Sequence, residues 1–365
     1  MNQMPISVLN FTAGDKEREL GYSKFIEYID AYNAKKSMVG DVSFAEADSK
    51  ILDFVKEEIA LMTGKTPEGF RGIQYYANNT DVKEAFFTIV GMLTDMVMPN
   101  ALIKDLSPIA TIKTVGFGES LAIDMQPRDL FVVSKGGRGK RSFDIKRQWK
   151  GTVTIVPEPR NITVGISLYD ILRGAYNLAE LVMKAVLSLE IAVKYDVYDA
   201  LSTAMNALST SGDTKLKVAG YSQSDAIGLA QKVTAWNGGK KAVFLGTKLA
   251  LSTILPASTN YRFDLGSDYV KMGHLRDFFG FDVIELEQVA DYTTEFKVKL
   301  SDTQIYVVSP GADKIIKVLF EGATMSNLNG NYDKANLIVS ADLSKSWGVG
   351  AYTSAIGGLI TVTLP

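Results

Sequence analysis

The sequence has no cysteine and a single histidine, His274, among 365 residues. The missing thiols exclude a disulfide framework, an iron–sulfur cluster and a cysteine-based zinc site. With one imidazole, His-ligated zinc and most general-base chemistry lack their usual side chains. Net charge is also small. Lys and Arg number 39 and Asp and Glu number 41, a balance of −2 that exerts no global pull toward nucleic acid or a membrane. The opening MNQMPISVLNFTAGDKE has no basic stretch followed by an apolar one, so the protein is expected to be intracellular when made. What remains is ordinary: 46% hydrophobic and 22% charged residues, in a chain long enough for two or three domains with ample core.

The longest regular pattern runs from Ser167 to about Ser209. Leu168, Ile171, Leu172, Ala175, Leu178, Ala179, Val182, Val186, Leu189, Val193, Val197, Leu201, Ala204 and Leu208 recur at three-and-four spacing, which predicts one helix. At 1.5 Å per residue it would be roughly 60 Å long. Glu180, Lys184 and Glu190 break the apolar run before the ~20 residues a membrane span needs. Glu180 with Lys184, and Glu190 with Lys194, have the spacing of helix ion pairs. Such a helix is either a long core element or a rod that spaces two parts of a molecule.

Ahead of the rod, Tyr22–Tyr32 predicts a short helix. Ser43 with Glu46 forms a capping box for a helix that reaches Met62 and stops at Gly64. Another helix is predicted from Asp81 to about Met96, with Pro99 following it. From Ile109 to Val164 the pattern changes to short β runs: Ile109–Val115, Asp129–Ser134, Phe143–Trp149 and Thr152–Val156. The two middle runs flank KGGRGKRS, Lys135–Ser142, so 128–150 reads as a long hairpin with a basic tip. Its eight basic and two acidic residues between Arg128 and Lys150 contrast with five basic and nine acidic between Tyr261 and Asp302. The two regions could attract one another within or between chains. An isolated two-stranded hairpin is marginal in water. Leu130, Phe131, Val132, Val133, Phe143, Ile145 and Trp149 therefore lie either on their own domain or on a neighbouring subunit.

After the rod the pattern alternates. Ser224 or Asp225 caps a helix to Trp236, Lys241–Gly246 is a strand, and Thr247–Leu255 and Leu275–Phe279 are short helices. Phe281–Glu287, Gln304–Ser309 and Ile315–Phe320 are strands. Residues 212–320 thus predict a compact α/β unit around a small sheet. The tail returns to β pattern at Lys334–Asp342 and Gly357–Leu364, with Trp347–Gly350 between them.

Catalytic and ligand motifs fail on spacing. The basic tip could bind nucleic acid with Phe131, Phe143 and Trp149 as stacking groups, but it is also an ordinary solvated tip or docking patch. It is no phosphate loop, because Ser134 and Arg141 stand where glycine and Ser or Thr are needed. Gly116 and Gly118 lack the third glycine of a dinucleotide site and read as a hinge. Gly220 and Ser222 begin a nucleophile elbow that has no closing glycine. His274, beside Leu275, Phe278 and Phe279, reads as a half-buried structural residue. Asn327–Asp333 misses the spacing and closing Glu of a calcium loop. No enzyme chemistry, cofactor or metal is expected.

The order of parts resembles a major capsid protein of tailed phages, of the Hong Kong phage type. That order is a helical N-terminal region, a β-hairpin arm, a very long helix, an α/β domain and a β return. The resemblance implies an α+β fold with an extended loop, a spine helix, a peripheral domain and an axial domain. It divides the chain into an N-terminal region or arm at 1–105 and an extended loop at 106–165. The peripheral domain with its spine occupies 166–211, the axial domain 212–318, and a β return to the peripheral domain 319–365. Residues 1–105 would be either a cleaved scaffolding segment or a retained arm. The implied function is self-assembly into hexamers and pentamers of an icosahedral head enclosing DNA, in the virion. The implied contact residues are Lys135, Arg138, Lys140, Arg141, Phe143 and Trp149. The implied partners are other copies, a scaffolding protein, a portal, and decoration or minor capsid proteins. Packaged DNA would be touched only non-specifically, and no membrane is involved. The alternatives are an encapsulin-like compartment of the same fold and a nucleic-acid-binding protein that uses residues 135–142.

Overall fold

A computed structural model describes residues 38–39, 41–65, 79–125, 151–166, 178–210, 215–255, 271–291, 296–328 and 339–364, together with 24, 27 and 28. A short β1–β2 ribbon (Met38–Val39 and Val42–Ser43) leads into α1, Phe44–Thr63. Ser43 caps α1 by accepting from the Glu46 amide, and Gly64 ends it in the left-handed conformation at φ +66°. Ala47, Ile51, Val55 and Ile59 form its buried stripe. Helix α2 spans Thr80–Leu106 and is capped by Asn79, whose side chain accepts from the Asp81 amide at 3.1 Å.

That second helix does not end near Met96 as expected. It continues through Pro99, although proline supplies no amide hydrogen to the ladder. Met98, Leu102 and Leu106 are buried and hold its last turns in the core, so tertiary packing overrides the local breaker. The rod is α3, Leu178–Asn206, roughly 43 Å long at 1.5 Å per residue. Its expected first turns, 167–177, lie outside the described residues, and it stops at Asn206 rather than Ser209. Val182, Val186, Leu189, Val193, Val197 and Leu201 are buried along one face, as their spacing predicts.

A four-stranded sheet lies on these helices in the order β3-β14-β15-β6. Its strands are Ala110–Val115 (β3), Ile316–Leu328 (β14), Val339–Ala351 (β15) and Glu158–Ile166 (β6). Only the β3–β14 pairing is parallel. A second, six-stranded sheet has the order β7-β16-β13-β8-β10-β9. It comprises Lys217–Ala219 (β7), Val243–Gly246 (β8), Asp277–Phe278 (β9), Phe281–Glu285 (β10), Gln304–Val308 (β13) and Gly358–Thr361 (β16). Helices α4 (Gln223–Trp236) and α5 (Lys248–Leu251) pack on it. Two further ribbons complete the elements: β4 (Leu121–Met125) with β5 (Gly151–Ile155), and β11 (Ala290–Asp291) with β12 (Lys297–Val298). The architecture is α+β.

Several strands are placed differently from the sequence expectation. Ile315–Phe320 was expected in the small sheet, but β14 leaves it and forms the centre of the other one. Ile316, Val318 and Phe320 are buried in the core shared with α2 and α3. Conversely, the tail does not stay wholly with the rod, because β16 inserts between β7 and β13. Leu359 and Ile360 are fully buried there. The chain therefore crosses between the sheets at 309–315 and again at 352–357. Asp313 ties the two crossings together. Its carboxylate accepts from the Ser354 amide at 3.1 Å and pairs with Lys317, and its carbonyl accepts from Thr353 at 3.0 Å.

Three local expectations also change. Leu275–Phe279 is not a helix but the β9 side of a hairpin, closed by Phe279 and Gly280 at φ +50° and +84°. Two successive positive φ angles cannot continue a right-handed helix. Trp347–Gly350 is not a link between strands but lies inside β15. Helix α4 is capped by Ser222, not Ser224 or Asp225. The failed nucleophile elbow is thus a helix N-cap.

Candidate assembly surface

The described root of the predicted arm is the β4–β5 ladder. Leu121 faces Ile155 and Met125 faces Gly151, so five pairs bracket residues 126–150. Strand β4 was not expected, because LAIDM follows two glycines that read as a joint. Lys135, Arg138, Lys140, Arg141, Phe143 and Trp149 lie outside the described residues. On the ladder, Ala122, Asp124, Gly151, Thr152 and Thr154 are exposed, while Ile123 and Val153 are half-buried. Thr152 donates to Asp124 at 3.0 Å across the ribbon. Ile155 is buried and anchors the inner end.

Its seat is made by glycine. A Cβ on Gly348 would stand 2.6 Å from Ile155 Cγ2 and 2.9 Å from the Val156 carbonyl oxygen. Only a residue without a side chain lets β15 pass so close beneath the end of β5. Next to it, the Trp347 indole donates to Asp196 on α3 at 3.0 Å. Arg160 of β6 reaches the same carboxylate at 3.5 Å and lies 5.9 Å from the Trp347 ring centroid. The arm root, the sheet and the rod meet at these residues.

A second fixed point lies where β14 bulges between Glu321 and Met325. Asp95 of α2 accepts from the Thr324 amide at 2.5 Å, from the Thr324 hydroxyl at 2.6 Å and from Lys345 at 2.8 Å. Lys345 also donates to the Gly322 carbonyl at 2.7 Å, and its side chain is only 5% exposed. The Gly116–Gly118 turn, expected as a flexible hinge, is fastened here. The Gly118 amide donates to Glu321 at 2.6 Å and the Gly116 amide to Glu119 at 3.0 Å. Phe117, largely exposed, lies against Gly322.

The rod carries the third. Glu180 pairs with Lys184 and Glu190 with Lys194, each at 2.6 Å, as the spacing predicted. Lys194 is not a surface partner, however. It is buried between Glu190 and Asp105 of α2. Burial pulls its pKa down, but the hydrogen bonds and charges of Asp105 and Glu190 outweigh that, and the net shift is upward. One turn on, Tyr198 donates to the Glu287 carbonyl at 3.1 Å, and burial pushes its phenol up to about 12. Asp199 pairs with Lys299, which joins the rod to the β11–β12 ribbon's end.

His274 is buried more deeply than expected, with Nδ1 4.0 Å from Glu285 Oε2. Asp282 pairs with Lys241 at 2.8 Å. The described residues therefore build two sheets braced by the rod, with a largely exposed two-stranded ribbon attached through its inner end. No described helix is long and apolar enough to cross a membrane.

Residues 19–361 match the family described as "SPbeta prophage-derived putative capsid protein YonB". No curated protein matches the sequence. Among solved structures, the chain is similar to the capsid of cyanophage P-SCSP1u at 11% identity and a TM-score of 0.48, over 72% of this chain and 88% of that one. It is similar to the mature capsid of bacteriophage PhiM1 at 12% identity and 0.46, over 71% and 87%. It is also similar to a virus-like particle from Pyrococcus furiosus at 11% identity and 0.42, over 72% and 95%.

Proposed function

We infer that this chain, which belongs to the YonB family of prophage-derived capsid proteins, is the repeating subunit of an icosahedral phage head. Its role is structural rather than catalytic. Copies join as hexamers and pentamers around DNA that they touch only non-specifically. A scaffolding protein, a portal and minor capsid proteins act alongside, and the place of action is the virion.

The observation that carries this reading is the β4–β5 ladder. It is mostly exposed, has five residue pairs, and among its described side chains Ile155 is the buried one, seated at the Gly348 notch. A two-stranded ribbon of that size is marginal alone in water. A surface on a second copy, covering the ribbon and the segment at 126–150, supplies the missing burial. Such a contact is heterologous, head to tail, and closes into rings. In this reading α3 is the spine and 106–165 the extended loop. The basic tip, Lys135 to Arg141, meets the neighbour, and Phe143 and Trp149 give the contact its apolar part. Electron microscopy of the purified full-length chain, with light scattering across a concentration series, tests it. Closed particles of uniform size are expected. A chain that stays monomeric at high concentration and with its co-expressed neighbours would overturn it.

A further inference from the structure

The β9–β10 hairpin turns on two residues, Phe279 and Gly280, between the closing pair Phe278 and Phe281. Both central residues have positive φ, +50° and +84°. That is the requirement of a type I′ turn, for which Asn-Gly is the favoured sequence. Glycine stands at the second position as expected. The first carries phenylalanine, whose bulk makes a left-handed backbone costly. Burial does not compensate, because Phe279 is 51% exposed.

The ring is nevertheless held in place. It meets Phe278 edge-on, with centroids 4.9 Å apart at 87°. Phe278 is buried and packs on Phe244 at 6.1 Å and on Tyr221 at 6.4 Å. The Gly280 amide donates to Asp277 at 2.8 Å and fixes the turn. An aromatic column thus rises from the core of the six-stranded sheet and ends in a ring held out to solvent. A rigid, pre-organised aromatic of this kind loses little freedom on binding and has the character of an interface hot spot. Its surroundings indicate the partner. Among the described residues beside the turn, Arg276 and Lys241 balance Asp277 and Asp282, and all four are exposed. A rim without net charge suits neither a polyanion nor an anionic membrane, both of which select clusters of Lys and Arg. It suits a protein surface of mixed charge, such as that of this chain itself.

We propose that Phe279 is an anchor by which one copy of this chain grips another, held outward by a turn that would fold more comfortably with asparagine. The second-copy occupant rests on the shell reading given above. The test uses the full-length chain and two variants, Phe279→Asn and Phe279→Tyr, each measured for thermal stability as unassembled subunit and for the threshold concentration of assembly. Phe279→Asn relieves the turn, so its Tm rises by a few degrees, while its assembly threshold rises about tenfold or more. Phe279→Tyr keeps the ring and the strain, and stays near wild type in both. Phe279→Asn assembling at the wild-type threshold overturns the anchor and leaves the shell reading intact. Phe279→Asn losing stability also overturns it, because Phe279 would then serve the subunit's own core. A wild-type chain that never self-associates overturns the shell reading and the second-copy occupant together.

Discussion

Asp95 and Lys345 sit 2.8 Å apart although 250 positions separate them in the chain. One is on α2 and the other on β15, and the bond closes over the bulge of β14 through Thr324 and Gly322. Removing one member of a buried pair leaves the other charge without its partner. Lys345→Met should therefore lower unfolding free energy by about 3 kcal/mol, with a smaller loss in the Asp95→Leu, Lys345→Met double variant. Denaturant titration of Lys345→Met, Asp95→Leu and the double variant measures the coupling. Additive losses would mean that the pair does not act as a unit.

Gly348→Ala tests the seat of the arm. The new methyl would meet both the Ile155 side chain and the Val156 backbone, so repacking one side chain cannot make room. A cost of about 1–3 kcal/mol is expected, in the range of overpacked cores. Assembly should fail even where the subunit stays folded, because the β5 end must lift. Thermal melts paired with particle counts separate the two effects. Normal particles from Gly348→Ala would remove the notch from the account.

Tyr198 gives the alkaline limit. Its folded pKa, about 12, lies above the ordinary value of 10.0. The unfolded chain thus loses this proton first, and the stability that it contributes is full below pH 10 and lost as pH rises toward 12. The whole contribution is about 2–3 kcal/mol. Tyr306 is shifted upward for the same reason, burial, and adds in the same direction. Tyr198→Phe should flatten the fall in denaturation free energy between pH 10 and 12. An unchanged slope in that variant would assign the alkaline loss to other groups.

The basic tip is tested by charge reversal. Arg138→Glu with Lys140→Glu should weaken assembly and leave the circular dichroism and melting of the subunit unchanged. Equal particle yield from the variant would take the tip out of the contact.

Much of this was legible from residue spacing. The rod's buried face, both of its predicted ion pairs and the Ser43 and Gly64 caps follow from local rules that tertiary structure did not disturb. Pro99 was misleading because Met98, Leu102 and Leu106 bury enough to carry the helix past it. The sorting of strands between sheets was not legible, since Ile315–Phe320 and Gly358–Thr361 look alike as apolar runs. Their partners lie far away in sequence. The buried lysine had left a signal. In β15, Leu343, Lys345 and Trp347 alternate onto one face, so a cation stands at an inward position and requires a buried carboxylate. Glycine at 348 and 350 looked like a strand break, because a close approach by another strand leaves no mark nearby in the sequence. The contact residues proposed on the arm, from Lys135 to Trp149, rest on composition and on the family resemblance.

Hydrogen exchange at 121–125 and 151–155 bears most directly on the central claim, that a second copy covers the arm root. The amides should exchange quickly in the unassembled subunit and become strongly protected in purified particles, while those of α3 change little. Equal exchange of the ladder in subunit and particle would contradict it.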